Sequence, residues 1–196
     1  MKTDKALVVV DLQVDFCPGG ALAVADGDKI VPKINEYVKL FLQHQLPIFV
    51  SRDWHPAETK HFKEFGGPWP VHCVQNTPGA AFHPDFHVPS SAIILSKGTD
   101  PSLDGYSVFD AQDAQQRFFI ELLKERKIKK LYIAGIATDY CVRTTALDAL
   151  QHGFKVNILI DAIKGVSPED SERTLQEIIA KNGRMMEYDQ VVEELK

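Results

Sequence analysis

The chain has 196 residues, 44% hydrophobic and 25% charged, which is enough for one α/β domain with a sizeable core. Its formal net charge is −5 and its one basic cluster, residues 124–130, is short, which argues against a nucleic-acid partner. The first residues do not resemble a secretion signal, and no apolar stretch approaches the ~20 residues of a membrane span. Three irregularly spaced cysteines do not suggest a disulfide framework. We therefore expect a cytoplasmic protein with free thiols and no membrane partner.

Six short apolar runs predict β-strands. In chain order they cover residues 6–12, 47–52, 92–96, 130–135, 155–161 and 183–187. The best of these runs are nearly continuous in Val, Ile and Leu. Such composition is typical of strands that are buried on both faces of a parallel sheet.

Helical segments separate these strands. The expected N-terminal capping residues are, in chain order, Asp28, Thr138, Ser167 and Asp189. Pro32 and Pro168 each fall in a first turn, where proline is tolerated, and residues 114–127 form a further amphipathic segment. The alternation predicts an α/β fold with one three-layer domain over residues 1–196, a parallel six-stranded sheet and helices on both faces.

A long connection between the second and third strands breaks this alternation. Residues 53–90 are rich in Pro, Gly and His and contain no convincing strand, yet they hold both tryptophans. Connections of this length are usually functional or disordered, and the aromatic content argues against disorder. We interpret the segment as a site-forming loop.

Four reactive side chains follow the predicted strands, namely Asp11, Asp53, Lys97 and Cys141. Ligands bind outside the carboxyl ends of parallel strands, so these groups are expected on one rim of the sheet. Each also has an ordinary alternative: a strand-ending carboxylate, a solvated lysine or an inert buried cysteine. Cys141 is expected in a first helical turn, where unpaired N–H groups favour a thiolate and can hold an oxyanion.

The loop also contains five of the seven histidines, namely His55, His61, His72, His83 and His87. Asp53 and His55 are two residues apart on the extended end of a strand, so both side chains can point the same way. His72 can return from the loop to meet them. A carboxylate with two imidazoles suits Zn²⁺, Mn²⁺ or Fe²⁺ in a catalytic site, and scattered surface histidines are the alternative.

Six segments resemble, in order along nearly the whole chain, motifs of the nicotinamidase/pyrazinamidase family within the isochorismatase-like cysteine hydrolases. They are "VVVDLQVDFCPGGAL", "SRDWHP", "GPWPVHCVQNTPGAAFHP", "SKGTDP", "DGYSVF" and "GIATDYCVRTTALDA". The resemblance implies a parallel six-stranded sheet and the hydrolysis of nicotinamide to nicotinate and ammonia. It also implies acceptance of related pyridine or pyrazine carboxamides, such as pyrazinamide, and a role in NAD salvage.

The resemblance further implies the roles of individual residues. The catalytic triad falls on Asp11, Lys97 and Cys141, and the residues that contact the substrate ring are Phe16, Trp69 and Tyr106. The oxyanion donors are the backbone N–H groups of Ala137 and Cys141, with a cis peptide bond between Ile136 and Ala137. The metal ligands are Asp53, His55 and His72, with His61 as a candidate fourth. These ligands imply one divalent metal ion; Zn²⁺ is the expected ion, and Fe²⁺ and Mn²⁺ are the alternatives.

Other functions stay open for the sequence alone. A metal-free amidohydrolase of the same fold would act on another small amide. A non-catalytic metal-binding or redox-sensing domain would explain the histidines and the thiol but not the lysine. A dinucleotide-dependent oxidoreductase is disfavoured, because no G-x-G-x-x-G motif follows the first strand. A homo-oligomer also stays open.

Overall fold

The structure, a computed structural model, describes residues 4–196, and its six strands form one parallel sheet. The strands are β1 (Lys5–Val10), β2 (Ile48–Asp53), β3 (Ile93–Lys97), β4 (Lys130–Ile136), β5 (Lys155–Lys164) and β6 (Arg184–Met186). Their order across the sheet is β3-β2-β1-β4-β5-β6. All six predicted strands and the predicted α/β class are confirmed.

Two layers of helices cover this sheet. Within residues 4–196 the α-helices are α1 (Val31–Gln43), α2 (Phe119–Glu125), α3 (Arg143–Gln151), α4 (Pro168–Ala180) and α5 (Tyr188–Leu195). Apolar residues of α1 and α5 pack on one face of the sheet, and those of α2, α3 and α4 pack on the other. In β1, Leu7 and Val9 belong to the first cluster, whereas Ala6, Val8 and Val10 belong to the second. Side chains alternate along a strand, so a continuous apolar run fills both clusters.

The helix starts agree less well with the sequence. Ser167 caps α4 as predicted, since its side chain accepts a hydrogen bond from the Asp170 N–H at 3.2 Å. The prediction for Asp28 is wrong, because this residue lies in a 3₁₀ turn that precedes α1. The prediction for Asp189 is also wrong, because Glu187 takes the cap position and Asp189 falls inside the first turn of α5.

The amphipathic segment 114–127 forms a shorter helix than predicted, because α2 begins only at Phe119. One Asp113 carboxylate oxygen accepts the N–H groups of Gln115 and Arg117, each at 2.9 Å. These hydrogen bonds close a local turn and compete with helical pairing. The first residues of the segment are therefore not helical.

The connection between β2 and β3 covers the carboxyl end of the sheet. It contains two 3₁₀ turns, Lys63–Phe65 and Pro78–Ala80, and otherwise only isolated bridges. The loop is anchored to the segment after β1, where the Val14 N–H donates to the Ala81 carbonyl at 2.9 Å. This anchoring places the histidine-rich loop directly over the strand ends.

The three cysteines are free, as predicted. Within residues 4–196 no helix is both long and apolar enough to cross a membrane.

Candidate active site and metal centre

The register of the sheet brings the four reactive side chains together. Asp53 and Lys97 are paired residues of β2 and β3, so their side chains leave the sheet side by side. Asp11 directly follows β1, and Cys141 lies in the turn that follows β4. All four side chains are buried.

Lys97 contacts every other member of this group. Its ammonium nitrogen lies 2.8 Å from Asp11 Oδ2 and 3.3 Å from Cys141 Sγ. It also forms an ion pair with Asp53 and donates to the Gly105 carbonyl at 3.1 Å. Burial alone would lower the pKa of Lys97, but the two carboxylates outweigh burial and raise this pKa well above its ordinary value. Lys97 is therefore a buried, charged side chain beside Asp11, and the alternative of a solvated lysine is excluded.

Asp11 and Cys141 lie close together beside this ammonium, with a carboxylate oxygen within 4.8 Å of Sγ. Burial raises the pKa of Asp11, although Lys97 opposes this shift. Burial also raises the pKa of the Cys141 thiol well above its ordinary value, again against the effect of Lys97. A base is therefore needed to remove the thiol proton, and an Asp11 carboxylate oxygen is within reach.

Cys141 lies in a widened π-type turn, Thr138–Val142, that leads into α3. The last N–H of this turn donates to the Ala137 carbonyl at 3.1 Å. Ala137 thus takes the cap position, and the predicted capping role of Thr138 is wrong. The peptide bond between Ile136 and Ala137 is cis, as the resemblance implies.

Three buried histidines gather beside Asp53. One ring nitrogen from each of His55, His61 and His72 lies within 4.8 Å of the other two. Asp53 Oδ2 lies 3.5 Å from His55 Nε2 and 3.9 Å from His72 Nε2. The two other histidines of the loop are not part of this cluster.

The tautomers of two imidazoles are fixed by backbone carbonyls. His55 Nδ1 lies 3.1 Å from the Gly98 carbonyl oxygen, and His72 Nδ1 lies 2.7 Å from that of Pro70. Because a carbonyl oxygen only accepts, both Nδ1 atoms carry the proton. The Nε2 atoms of both rings face Asp53, and in a neutral ring with this tautomer Nε2 has a lone pair for a metal ion. Carbonyls orient metal-binding histidines in this way in many proteins.

His61 supplies the third imidazole. Burial and the neighbouring His55 lower the pKa of His61 to about 4, so its ring is neutral at neutral pH. His55 Nε2 and His61 Nδ1 are buried and have no hydrogen-bond partner among residues 4–196. Buried nitrogens without partners are costly unless a ligand satisfies them. With the Asp53 carboxylate, these neutral imidazoles fit one divalent metal ion.

A pocket reaches Cys141 and the histidine cluster. The predicted ring-binding residues Phe16, Trp69 and Tyr106 all line it, and Trp69 Nε1 donates to the Tyr106 hydroxyl at 2.7 Å. Tyr140, which was not predicted from the sequence, also lines the pocket, and its ring centroid lies 5.1 Å from that of Trp69. The apolar lining residues were not predicted either; they are Leu22, Val24, Ile136 and Val166.

Two buried polar side chains, Ser51 and Gln13, were not predicted from the sequence, and they form hydrogen bonds with Asp11 and Asp53. Ser51 Oγ donates to Asp11 Oδ1 at 2.7 Å. Gln13 accepts the Asp53 N–H at 2.7 Å and donates to the Asp53 carbonyl at 2.8 Å. A polar residue within or next to an apolar strand is a signal that could have identified both.

A parallel α/β sheet with a buried thiol, carboxylate and ammonium at its rim is the arrangement expected of a cysteine hydrolase. Residues 5–190 match the isochorismatase domain family. The nicotinamidase of Escherichia coli is 39% identical over 194 residues, which cover 90% of this chain and 91% of that protein. The chain belongs to the isochorismatase domain family, and within it to the nicotinamidase/pyrazinamidase group.

Solved structures show the same similarity. The pyrazinamidase of Pyrococcus horikoshii in complex with zinc is 48% identical, with a TM-score of 0.89 over 94% of this chain and 99% of that one. PnC1 from L. infantum in complex with nicotinate is 30% identical, with a TM-score of 0.84 over 95% of this chain and 94% of that one. Both similarities extend over nearly the whole of each chain.

Proposed function

We propose that the protein is a metal-dependent nicotinamidase, an amidohydrolase that converts nicotinamide to nicotinate and ammonia in NAD salvage and also accepts pyrazinamide. The observation that carries the proposal is the contact of one buried ammonium, Lys97, with Asp11, Cys141 and Asp53. Through this contact the nucleophile Cys141 and the base Asp11 lie next to the proposed metal ligand Asp53, beside one aromatic pocket. The nicotinamidase relatives support the same reaction.

Neither alternative function accounts for both halves of this site. A metal-free amidohydrolase has no need of three buried imidazoles beside a carboxylate. A metal-binding or redox-sensing domain has no need of a charged lysine between Asp11 and Cys141. An amidohydrolase with a metal centre uses both groups.

Acylation starts when Asp11 removes the thiol proton and the sulfur of Cys141 attacks the carboxamide carbon. Lys97 remains charged and stabilises the thiolate and the carboxylate. The oxyanion is held by the backbone N–H groups of Ala137 and Cys141. Asp11 then gives its proton to the leaving nitrogen, the C–N bond breaks, and ammonia departs. A nicotinoyl thioester on Cys141 remains.

In deacylation Asp11 acts again, first as a base and then as an acid. Asp11, again a carboxylate, takes a proton from water as the water oxygen attacks the thioester carbon. The C–S bond breaks, and Asp11 returns the proton to the sulfur of Cys141. The product acid loses its remaining proton to solvent and leaves as nicotinate, and the resting thiol is restored.

Phe16, Trp69 and Tyr106 hold the aromatic ring and exclude water from it. Asp53, His55, His72 and His61 are the residues that would hold the metal, with Zn²⁺ as the proposed ion. A bound divalent ion supplies a Lewis-acidic coordination position for the ring nitrogen of the substrate. The same carboxylate and imidazole ligands would also hold Fe²⁺ or Mn²⁺, which are the alternatives to Zn²⁺.

Metal retention tests the proposed fourth ligand. We expect His61→Ala to weaken metal affinity by about tenfold or more, because an imidazole is lost from the cluster. Competition with a chromogenic chelator measures this affinity, and His83→Ala, outside the cluster, is the matched control. Unchanged affinity in His61→Ala would show a three-ligand site.

Ammonia release from nicotinamide tests the proposed function. We expect release by the metal-loaded protein, loss of release after treatment with a chelator, and recovery when Zn²⁺ is added back. Pyrazinamide should behave in the same way. If ammonia were released only from a carbamoyl compound, and regardless of the chelator, the metal-free alternative would replace this proposal.

A further inference from the structure

Asp139 makes two contacts that the proposed reaction does not use. Its Oδ1 accepts the Val166 N–H and its Oδ2 accepts the Ser167 N–H, each at 2.9 Å. Both donors lie between β5 and α4, far from Asp139 in the sequence. A carboxylate that accepts two N–H groups at the start of a helix makes charge-assisted hydrogen bonds, which are among the stronger ones in proteins.

This contact joins two parts of the pocket. Asp139 directly precedes Tyr140, a lining residue, and lies in the same turn as Cys141. Val166 lines the same pocket and is 51% exposed, which places it at the mouth, whereas Cys141 is buried. The Asp139 carboxylate therefore connects the turn of the nucleophile to the edge of the opening.

Gly165 lies next to this contact, and its position leaves little room for a side chain. A Cβ atom on Gly165 would lie 3.0 Å from Asp139 Oδ1 and would collide with Ser171 Oγ. A side chain at this position would push the segment away from Asp139. The local sequence is thus compatible with the contact.

We propose that Asp139 is a positioning residue that fixes Val166 at the mouth of the pocket, where Val166 contacts the bound substrate. The inference rests on the proposed amidohydrolase function. The turn of Cys141 has its own hydrogen bonds, because the Ala137 carbonyl accepts the Tyr140 N–H at 3.1 Å. Loss of the Asp139 carboxylate therefore affects substrate binding more than the chemical step.

Steady-state kinetics with nicotinamide test this inference. We expect Asp139→Ala to raise KM about tenfold with a smaller change in kcat, since uniform binding is lost. Val166→Ala should also raise KM. The KM of the double variant, Asp139→Ala with Val166→Ala, should equal that of the worse single variant, because both substitutions remove the same contact between Val166 and the substrate. Independent, multiplying effects on KM would overturn the inference, and so would a fall in kcat at unchanged KM.

Two further variants control the kinetics. Asp139→Asn keeps one accepting oxygen and should recover part of the loss in affinity. Glu172→Gln removes an exposed carboxylate from α4 and should leave KM unchanged. An Asp139→Asn variant with the same KM as the wild type would show that two accepting oxygens are not needed.

Amide hydrogen exchange makes the test independent of activity. We expect the N–H groups of Val166 and Ser167 to exchange slowly in the wild-type protein and at least about tenfold faster in Asp139→Ala. Equally slow exchange in both proteins would overturn the inference. If the wild-type protein released no ammonia from nicotinamide, the proposed function would fail, but exchange would still report on this contact.

Discussion

We expect Cys141→Ala to abolish nicotinamide turnover, with a loss of about 10⁴-fold or more in kcat. The substitution removes the sulfur atom that forms the thioester, and no other nucleophile occupies its position. Cys141 is not among the proposed metal ligands Asp53, His55, His72 and His61, so metal content and fold should be unchanged. Ammonia release, circular dichroism and elemental analysis of one preparation measure all three quantities.

The other two cysteines are matched controls for this variant. Cys17 and Cys73 are also buried, and burial raises the pKa of the Cys17 thiol to about 11 and that of Cys73 well above its ordinary value. Neither thiol contacts Lys97. Cys17→Ala and Cys73→Ala should therefore retain most of the activity. Substantial ammonia release by Cys141→Ala would contradict the covalent mechanism.

Lys97→Ala has the second largest expected effect, a loss of about 10³-fold in kcat/KM together with reduced stability. The ammonium lies between Asp11 and Asp53, so its removal leaves the buried Asp11 carboxylate without a counter-ion. Breaking a buried ion pair in this way typically costs about 3–5 kcal/mol. It also removes the charge that stabilises the thiolate of Cys141. Kinetics and chemical denaturation measure the two losses.

The stability of Lys97→Ala should depend on pH in a defined direction. Burial already raises the folded-state pKa of Asp11 above its unfolded value, and loss of the ammonium raises it further. Asp11 therefore binds a proton more readily in the folded variant than in the unfolded chain, so the loss of stability relative to the wild type should shrink as the pH falls. Lys29→Ala, at an exposed ion pair, is the control. Near-normal kinetics in Lys97→Ala would show that Lys97 is not part of the catalytic machinery.

The strands were more predictable from the sequence than the helix starts. A run such as β1 is apolar at every position after Lys5, and only a strand buried on both faces satisfies this pattern. Helix starts depend on competing local hydrogen bonds that composition does not reveal. Asp113 captures the amides that would otherwise begin α2 early, and Glu187 takes the cap position predicted for Asp189.

The candidate site was predictable in part, because parallel strands bring their carboxyl ends to one rim. That rule brings Asp53 beside Lys97 in register and places Asp11 next to them. Burial is not visible in the sequence, and it raises the pKa of Cys141, whereas a helix start would lower it. Val166 was missed because it reaches the pocket through a tertiary contact and belongs to no strand-end or metal-ligand pattern.

Product analysis in the presence of hydroxylamine tests the central claim most directly. A nicotinoyl thioester on Cys141 is open to attack by hydroxylamine as well as by water. We predict that nicotinohydroxamate forms at the expense of nicotinate, while the rate of ammonia release does not fall. Nicotinate as the sole product at every hydroxylamine concentration, or no ammonia release from nicotinamide by the metal-loaded protein, would contradict the account.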